Sequence, residues 1–291
     1  MMAALAGGLI LSLLMGFAAS TYGVEPKALR VCADPDNRPF SNLKQEGFEN
    51  KIAELIARDL GAELTYTWWP HQRGLVRRVL NAGRCDLLIG VPAGYDAILA
   101  TKPYYRTSYV IVYARARGLE ITSLDDPRLK LLKIGVHINT PPSEALAARG
   151  VVGENVIGYP LFYDSQYHPE DYPGKVIEDL IAGTIDVAIV WGPIAGYFAK
   201  KGSASILELV PLQGGSAGLP FSFQISMGVR KGDRGLKKTL EEALDRKQAE
   251  IRKILEEYGV PLLAENETGA VRDVGAPTEG REGAGGHEHH H

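Results

Sequence analysis

LRVCADPDNRPFSNLKQEGFEN, residues 29–50, has the order of the ligand end of a parallel α/β sheet. Its apolar run stops at Asp34, a loop broken by Pro35 and Pro39 carries Asn37 and Phe40, and Gly47 launches a helix through Glu49 and Asn50. Open α/β sheets hold ligands beyond the carboxyl ends of their strands, so the loop predicts one wall of a cleft. Downstream, Ile52, Leu55, Ile56 and Leu60 recur at helical spacing and Gly61 ends that helix. The strand ELTYTWW, a short helix GLVRRVLNAGR and the strand CDLLIG, with Gly90 at its end, complete a βαβαβ unit.

A second unit of the same plan follows. LKIGVH, a Pro-Pro-Ser helix start at 141–143, a strand near Val156, the helix KVIEDLIAG, the strand TIDVAIVWG and the helix IAGYFAKKG alternate up to LELVPL. Two long extended runs, YYRTSYVIVY at 104–113 and FSFQISMGVRK at 221–231, read as crossing strands. After the second, Asp233 is placed to cap a helix striped by Leu236, Leu240, Leu244, Ile251, Leu255 and Tyr258. The expected fold class is α/β with two lobes, each an open, mostly parallel sheet flanked by helices. Residues 28–113 plus 222–264 form the first lobe and 114–221 the second. Two crossings make a hinge, and a hinge over a cleft permits closure.

The chain has 291 residues, is 45% hydrophobic and carries a formal net charge of -3 with a pI near 6.2. That is enough for two cores, and it offers no basic footprint for nucleic acid or an anionic membrane. Residues 1–20 read as a secretory signal ending in small residues, although no Lys or Arg precedes Lys27. The competing reading of that run is a permanent anchor, for which it is short. The mature protein is therefore expected in the periplasm, where a disulfide persists. Cys32 and Cys85 are the two cysteines; a disulfide between neighbouring strands and two buried thiols both remain open. No cysteine has metal-ligand spacing. Residues 265–291 are Gly-rich, charged and expected to be disordered, and their terminal His run reads as a solvated tail or purification scar rather than a metal site.

The Pro-Phe loop, the Gly-Phe helix start, GRCDLLIG and the Tyr-Tyr crossing strand resemble solute-binding protein family 3, the polar amino-acid receptors of ABC importers, over residues 29–263. The resemblance implies a type II periplasmic-binding-protein fold with Phe40 against the ligand and Tyr104 or Tyr105 lining the cleft. Three features depart from the amino-acid receptors. GFENK, with Glu49 and Asn50, stands where they carry an acidic G-F-D start. The segment GVPAGYDAILATKPYY, with Tyr95, lacks the Arg that clamps a ligand carboxylate, and Lys102 is only a point charge. Trp191, Gly192 and Pro193 replace the second-lobe Asp that pairs with the ligand amine.

Those departures, with VCADPDNRPFSN, GFENKIAELIARDLG, CDLLIGVPAGYD, TKPYYRTSYV and WGPIAGYFA in order, resemble the quinoprotein-dehydrogenase-associated periplasmic binding proteins of the MxaJ/XoxJ type. That resemblance implies a non-catalytic accessory role in maturing or activating a PQQ-dependent methanol or alcohol dehydrogenase. This chain would bind no cofactor itself, while the partner would carry PQQ and a calcium or lanthanide ion. Cleft candidates are Asp34, Asn37, Phe40, Glu49, Asn50, Tyr95, Tyr104, Tyr105, Asn139, Thr140 and Trp191, and Trp68 and Trp69 are expected to divide into one buried and one exposed. The alternative is an importer receptor for a small polar or aromatic solute, oriented by Asp34, Asn37, Asn50, Ser108, Asn139 and Thr140. Catalysis is the third reading. His71, expected as an exposed turn residue, His137 and His168 are its candidate bases, and none has an evident partner carboxylate. The segment LFYDSQYHPEDYPG suits contact with a partner better than acid–base work.

Overall fold

Apolar strands alternate with amphipathic helices throughout the computed structural model, which describes residues 27–163, 165–202, 206–216 and 218–264. The expected signal 1–20, the tail 265–291 and its histidines lie outside those residues. In chain order the first half contains β1 (Ala28–Ala33), β2 (Asp36–Asn37), β3 (Ser41–Asn42), α1 (Phe48–Leu60), β4 (Glu63–Trp68), β5 (Leu87–Pro92) and β6 (Leu99–Ala100). β7 (Tyr105–Ala114) leads to β8 (Ile134–His137), α2 (Pro141–Ala148), β9 (Val156–Tyr159), α3 (Lys175–Ile181), β10 (Val187–Trp191), α4 (Gly192–Gly202) and β11 (Leu207–Pro211). The short β12 (Gly215–Ser216) and β13 (Leu219–Pro220), then β14 (Ser222–Val229) and α5 (Arg234–Glu257), complete the chain.

The main sheet runs β4-β1-β5-β14-β7-β10-β8-β9, with β6 added to β14 and β11 to β7. β1 lies parallel to β4 and β5, and β8 lies parallel to β9 and β10, so each end of the sheet keeps the parallel βαβ plan. β7 changes partner along its length. Its residues 105–108 pair with β14, and from Tyr109 onward it pairs with β10, joined on its other edge from Val110 by β11. Tyr109, Ile111 and Tyr113 consequently lie in the core of the second half, and the change of partner sits at Ser108.

Each half has helices or loops on both faces. In the first, Leu29, Val31, Leu87 and Met227 meet α1 and α5 on one face, while Cys32, Leu88 and Val91 meet Leu75, Val79 and Leu80 on the other. In the second, Val110, Val112 and Val190 meet α3 and α4, and Ile111, Val136 and Ile189 meet the α2 side. Phe48, Ile52 and Ile56 of α1 are fully buried, each contributing about 1.5–3 kcal/mol by leaving water. Gly61 ends α1 in the left-handed conformation at φ 60°, and the Asp233 carboxylate accepts from the Leu236 N–H to cap α5. Cys32 and Cys85 are joined in a disulfide with Cα atoms 5.4 Å apart.

Two local expectations differ from the structure. GLVRRVLNAGR forms a π-type turn over Val76–Leu80 after a 3₁₀ turn at His71–Arg73, with the Asn81 N–H bonding the Val76 carbonyl at 2.9 Å. Trp68 and Trp69 are both half-buried, because β4 is an edge strand partly covered on each face. Trp68 stacks on Tyr66 at 4.6 Å, and Trp69 packs with the disulfide side and donates to the Arg73 carbonyl. Among the described residues no helix is long and apolar enough to cross a membrane.

Candidate ligand and partner cleft

The carboxyl ends of β1 and β5, the start of α1 and the start of β7 converge on one side of the first half. Asp34 follows β1 directly and is buried. Its Oδ1 accepts from the Asp36 N–H at 2.9 Å; Oδ2 accepts from the His71 N–H at 2.7 Å and lies 3.3 Å from His71 Nδ1. Burial alone would raise this carboxyl, but the bonds from His71 and Asp36 hold it below the ordinary aspartate range. Asp34 is thus a saturated organiser of the loop, and His71 is engaged rather than a free turn residue.

Glu49 is different. It projects from the first turn of α1 over Gly90, where a Cβ would stand 1.9 Å from Glu49 Oε1. Gly90 has φ +79°, so it supplies both the left-handed turn and the space for the carboxyl. Burial first, and the charge of Asp34 second, push the Glu49 carboxyl well above the usual glutamate range. Tyr104 and Tyr105 lie close enough that Glu49 raises both phenols in addition to their burial. The Tyr104 hydroxyl is buried without a hydrogen-bond partner.

The remaining candidates separate. Phe40 rests on Phe48 at 5.2 Å, and Asn50 is buried with Oδ1 accepting from the Asn42 and Gly47 N–H groups, so both build the loop around Glu49. Asn37 sits in the β2–β3 turn, where its carbonyl accepts from the Phe40 N–H. Tyr95 packs beside the disulfide cluster, on the sheet face opposite Tyr104 and Tyr105, and does not join them. Lys102 pairs with Asp245 of α5.

In the second half, Trp191 packs edge-to-face on Tyr109 at 5.0 Å and on Phe223 at 5.7 Å. Thr140 is buried at the start of α2, its hydroxyl donating to the His137 carbonyl at 2.6 Å, while Asn139 is an exposed left-handed residue at φ 57°. His137 is fully buried. Its Nε2 donates to the Pro173 carbonyl at 3.1 Å and Nδ1 faces the Trp191 N–H at 3.5 Å, a neutral tautomer whose pKa burial lowers to about 4. Such a group holds a wall together and is poorly suited to shuttling protons at neutral pH.

The two halves touch through residues that the sequence reading left as a surface insertion. Phe162 stacks on His71 with centroids 6.2 Å apart, Arg73 lies 5.8 Å over the Tyr167 ring, and burial with the neighbouring Asp36 carboxylate pushes the Tyr163 phenol up. Phe162 and Tyr167 remain 55% and 65% exposed, so these rings bridge the halves and still present apolar area to solvent. Composition marked the segment as aromatic and acidic; its landing place depends on His71 and Arg73, more than eighty residues earlier. His168, Glu170 and Asp171 nearby form an exposed acidic group with His168 Nδ1 3.4 Å from Glu170.

The model of the bacterial extracellular solute-binding proteins, family 3, matches residues 29–261. The chain is 31% identical over 258 residues to Protein MoxJ of Methylorubrum extorquens, covering 84% of this chain and 85% of that protein. It resembles the crystal structure of periplasmic binding protein XoxJ from Methylobacterium extorquens AM1 with TM-score 0.68 and 40% identity, covering 82% of this chain and all of that one. MxaJ from Methlophaga aminisulfidivorans MPT is similar with TM-score 0.70 and 27% identity, covering 81% and 100% respectively. With its βαβ halves, partner-changing β7 and matched length, the chain belongs to the bacterial extracellular solute-binding proteins, family 3, as a member of the MxaJ/XoxJ type.

Proposed function

We propose that this chain is a non-catalytic periplasmic accessory protein of methanol oxidation that binds a PQQ-dependent methanol or alcohol dehydrogenase and assists its maturation or activation. Residues 28–108 with 222–264 would act as one lobe and 109–221 as the other. The observation that carries the reading is the aromatic bridge: Phe162 and Tyr167 join the two halves while more than half of each side chain stays exposed. Aromatic side chains supply much of the energy of protein interfaces, and a bridge between the halves hinders the wide opening that solute exchange needs. The similarity to MoxJ, XoxJ and MxaJ supports the setting, and the neutral, buried His137 supports a role without acid–base chemistry. PQQ and the calcium or lanthanide ion would belong to the partner.

The test is capture of the purified cognate dehydrogenase on the immobilised protein at low and physiological salt. The Phe162→Ala/Tyr167→Ala variant is expected to lose at least tenfold in affinity, the scale of one interface hot spot of about 1.4 kcal/mol or more. Undiminished capture by a folded double variant would remove the bridge from the interface, and no capture by the wild type would overturn the accessory reading.

A further inference from the structure

Between Leu64 and Tyr95 the chain carries four arginines, Arg73, Arg77, Arg78 and Arg84, and a single acid, Asp86. Asp86 is spent on Arg30 and Arg230, which lie outside that segment. Elsewhere arginines meet carboxylates: Arg117 pairs with Asp186, Arg149 with Asp125 and Arg246 with Asp59. Arg77, Arg78 and Arg84 are exposed and make no ion pair among the described residues. The fold gathers them. Val79 and Leu80 are buried in the cluster beside the disulfide, so the π-type turn Val76–Leu80 leaves Arg77 and Arg78 facing out, and turns of this kind are frequent at functional sites. The Arg78 side chain runs back over Gly74, 3.7 Å from where a Cβ would stand. Arg84 lies 5.9 Å over the Trp69 ring, whose Nε1 donates to the Arg73 carbonyl at 3.0 Å, and Arg73 covers the exposed Tyr167 ring. Arg73, Arg78 and Arg84 thus surround one indole, on the sheet face opposite Tyr104 and Tyr105.

We propose that Arg77, Arg78 and Arg84, grouped with Arg73 around Trp69, form a docking surface for an acidic segment of a partner protein. Charge complementarity selects the occupant. Guanidinium forks donate paired N–H bonds to carboxylates and stack on rings, and Arg beside Trp and Tyr is the combination enriched in interface hot spots. The chain as a whole carries a net charge of -3, which repels an extended polyanion such as nucleic acid or an anionic membrane. A short run of Asp and Glu meets only the local positive field and relieves the repulsion among the crowded guanidinium groups. Trp69 is half-buried, so it fixes the position of Arg84 while the charge stays open to a partner. The surface adjoins Tyr167 of the aromatic bridge, but the inference stands independently of the dehydrogenase reading, because it rests on the chemistry of the patch alone.

Titration of the isotope-labelled full chain with an acetylated hexaglutamate amide, followed by the indole N–H resonances, tests it. At low salt the Trp69 signal, assigned through Trp69→Phe, should move and saturate while the Trp191 signal stays in place, and the affinity should fall several-fold at physiological salt as exposed charges are screened. The Arg77→Gln/Arg78→Gln/Arg84→Gln variant should weaken the peptide roughly tenfold, the sum of three exposed charge pairs. Lys238→Gln/Arg252→Gln/Lys253→Gln on the exposed side of α5 removes the same charge and should change the affinity by less than about twofold. Both triple variants should keep the urea midpoint of the wild type, since every substituted side chain is exposed. The absence of a saturating Trp69 shift, equal weakening in the two triple variants, or tighter binding of oligothymidylate or of phosphatidylglycerol vesicles than of the peptide would overturn the proposal.

Discussion

Gly196→Ala puts a helix-favouring residue into α4, and propensity alone would stabilise that helix by about 1 kcal/mol. The structure reverses the sign. A Cβ on Gly196 would lie 1.8 Å from the Gly259 carbonyl oxygen, and Gly259 is itself fixed at φ +74° just after α5. Both contacting groups are backbone, so neither can rotate away, and α4 must part from the end of α5 by ~1.5 Å to restore ordinary contact. That separation stretches the Thr107 Oγ1 bond to the Pro261 carbonyl, 2.7 Å long, and the Tyr197–Tyr258 stack at 5.9 Å. It also withdraws Lys200 from the Glu256 and Glu257 carbonyls that it caps. Overpacking costs about 1–3 kcal/mol, the hydrogen bond about 1, and the ring pair about 0.5–1.5. Against the propensity gain, the net loss is about 1.5–4.5 kcal/mol. Urea unfolding of the purified protein measures it, with Gly235→Ala as control: Gly235 lies exposed in α5 with nothing within 4 Å of a Cβ, and there the same change should stabilise by about 0.5–1 kcal/mol. A Gly196→Ala protein as stable as the wild type would refute the close-contact argument.

Three further outcomes are expected. Replacing Cys32 and Cys85 together by Ser opens a loop with sequence separation 53 and should cost about 2–4 kcal/mol by chain entropy, read as a lower urea midpoint. Gly90→Ala should destabilise by about 2–4 kcal/mol, from left-handed strain plus displacement of Glu49, and combining it with Glu49→Ala in a double-mutant cycle should recover about 1 kcal/mol or more. The pH dependence has two opposed parts. His137 is a base whose folded pKa, about 4, lies below its unfolded value near 6.5, so its contribution is full above 6.5 and lost as pH falls toward 4, about 3 kcal/mol in all. Glu49 is an acid raised in the fold, so it lowers stability as pH rises above its unfolded value near 4.5. Thermal melts from pH 4 to 7 should therefore show Glu49→Gln gaining on the wild type as pH rises; a constant difference would contradict the reading of Glu49.

The periodicities of 2 and 3.6 were sufficient to place α1, the apolar strands and the α5 stripe, because burial of one face is a property of local spacing. Gly61 and Asp233 announced their caps for the same reason. Trp68 and Trp69 show where that logic thins out: alternation correctly sends them to opposite faces, but an edge strand leaves both faces partly covered, and edge position is a matter of topology. The partner change in β7 was equally hidden, since YYRTSYVIVY is uniformly strand-forming and nothing within it marks Ser108 as the point where β14 gives way to β10.

By itself, the amino-acid sequence determined the two βαβ units, the two crossings, the loop beginning at Asp34 and the absence of an Arg clamp after Gly90. Those are local facts of spacing and residue type. Only the tertiary structure decided that Tyr95 packs beside the disulfide, that His71 holds Asp34, that Phe162 and Tyr167 reach the other half, and that Glu49 lies over Gly90 beside Tyr104. Each of those depends on which residues distant in the chain share a few ångströms of space, and there the carboxyl chemistry is set by burial and neighbouring charge rather than by the residue's identity.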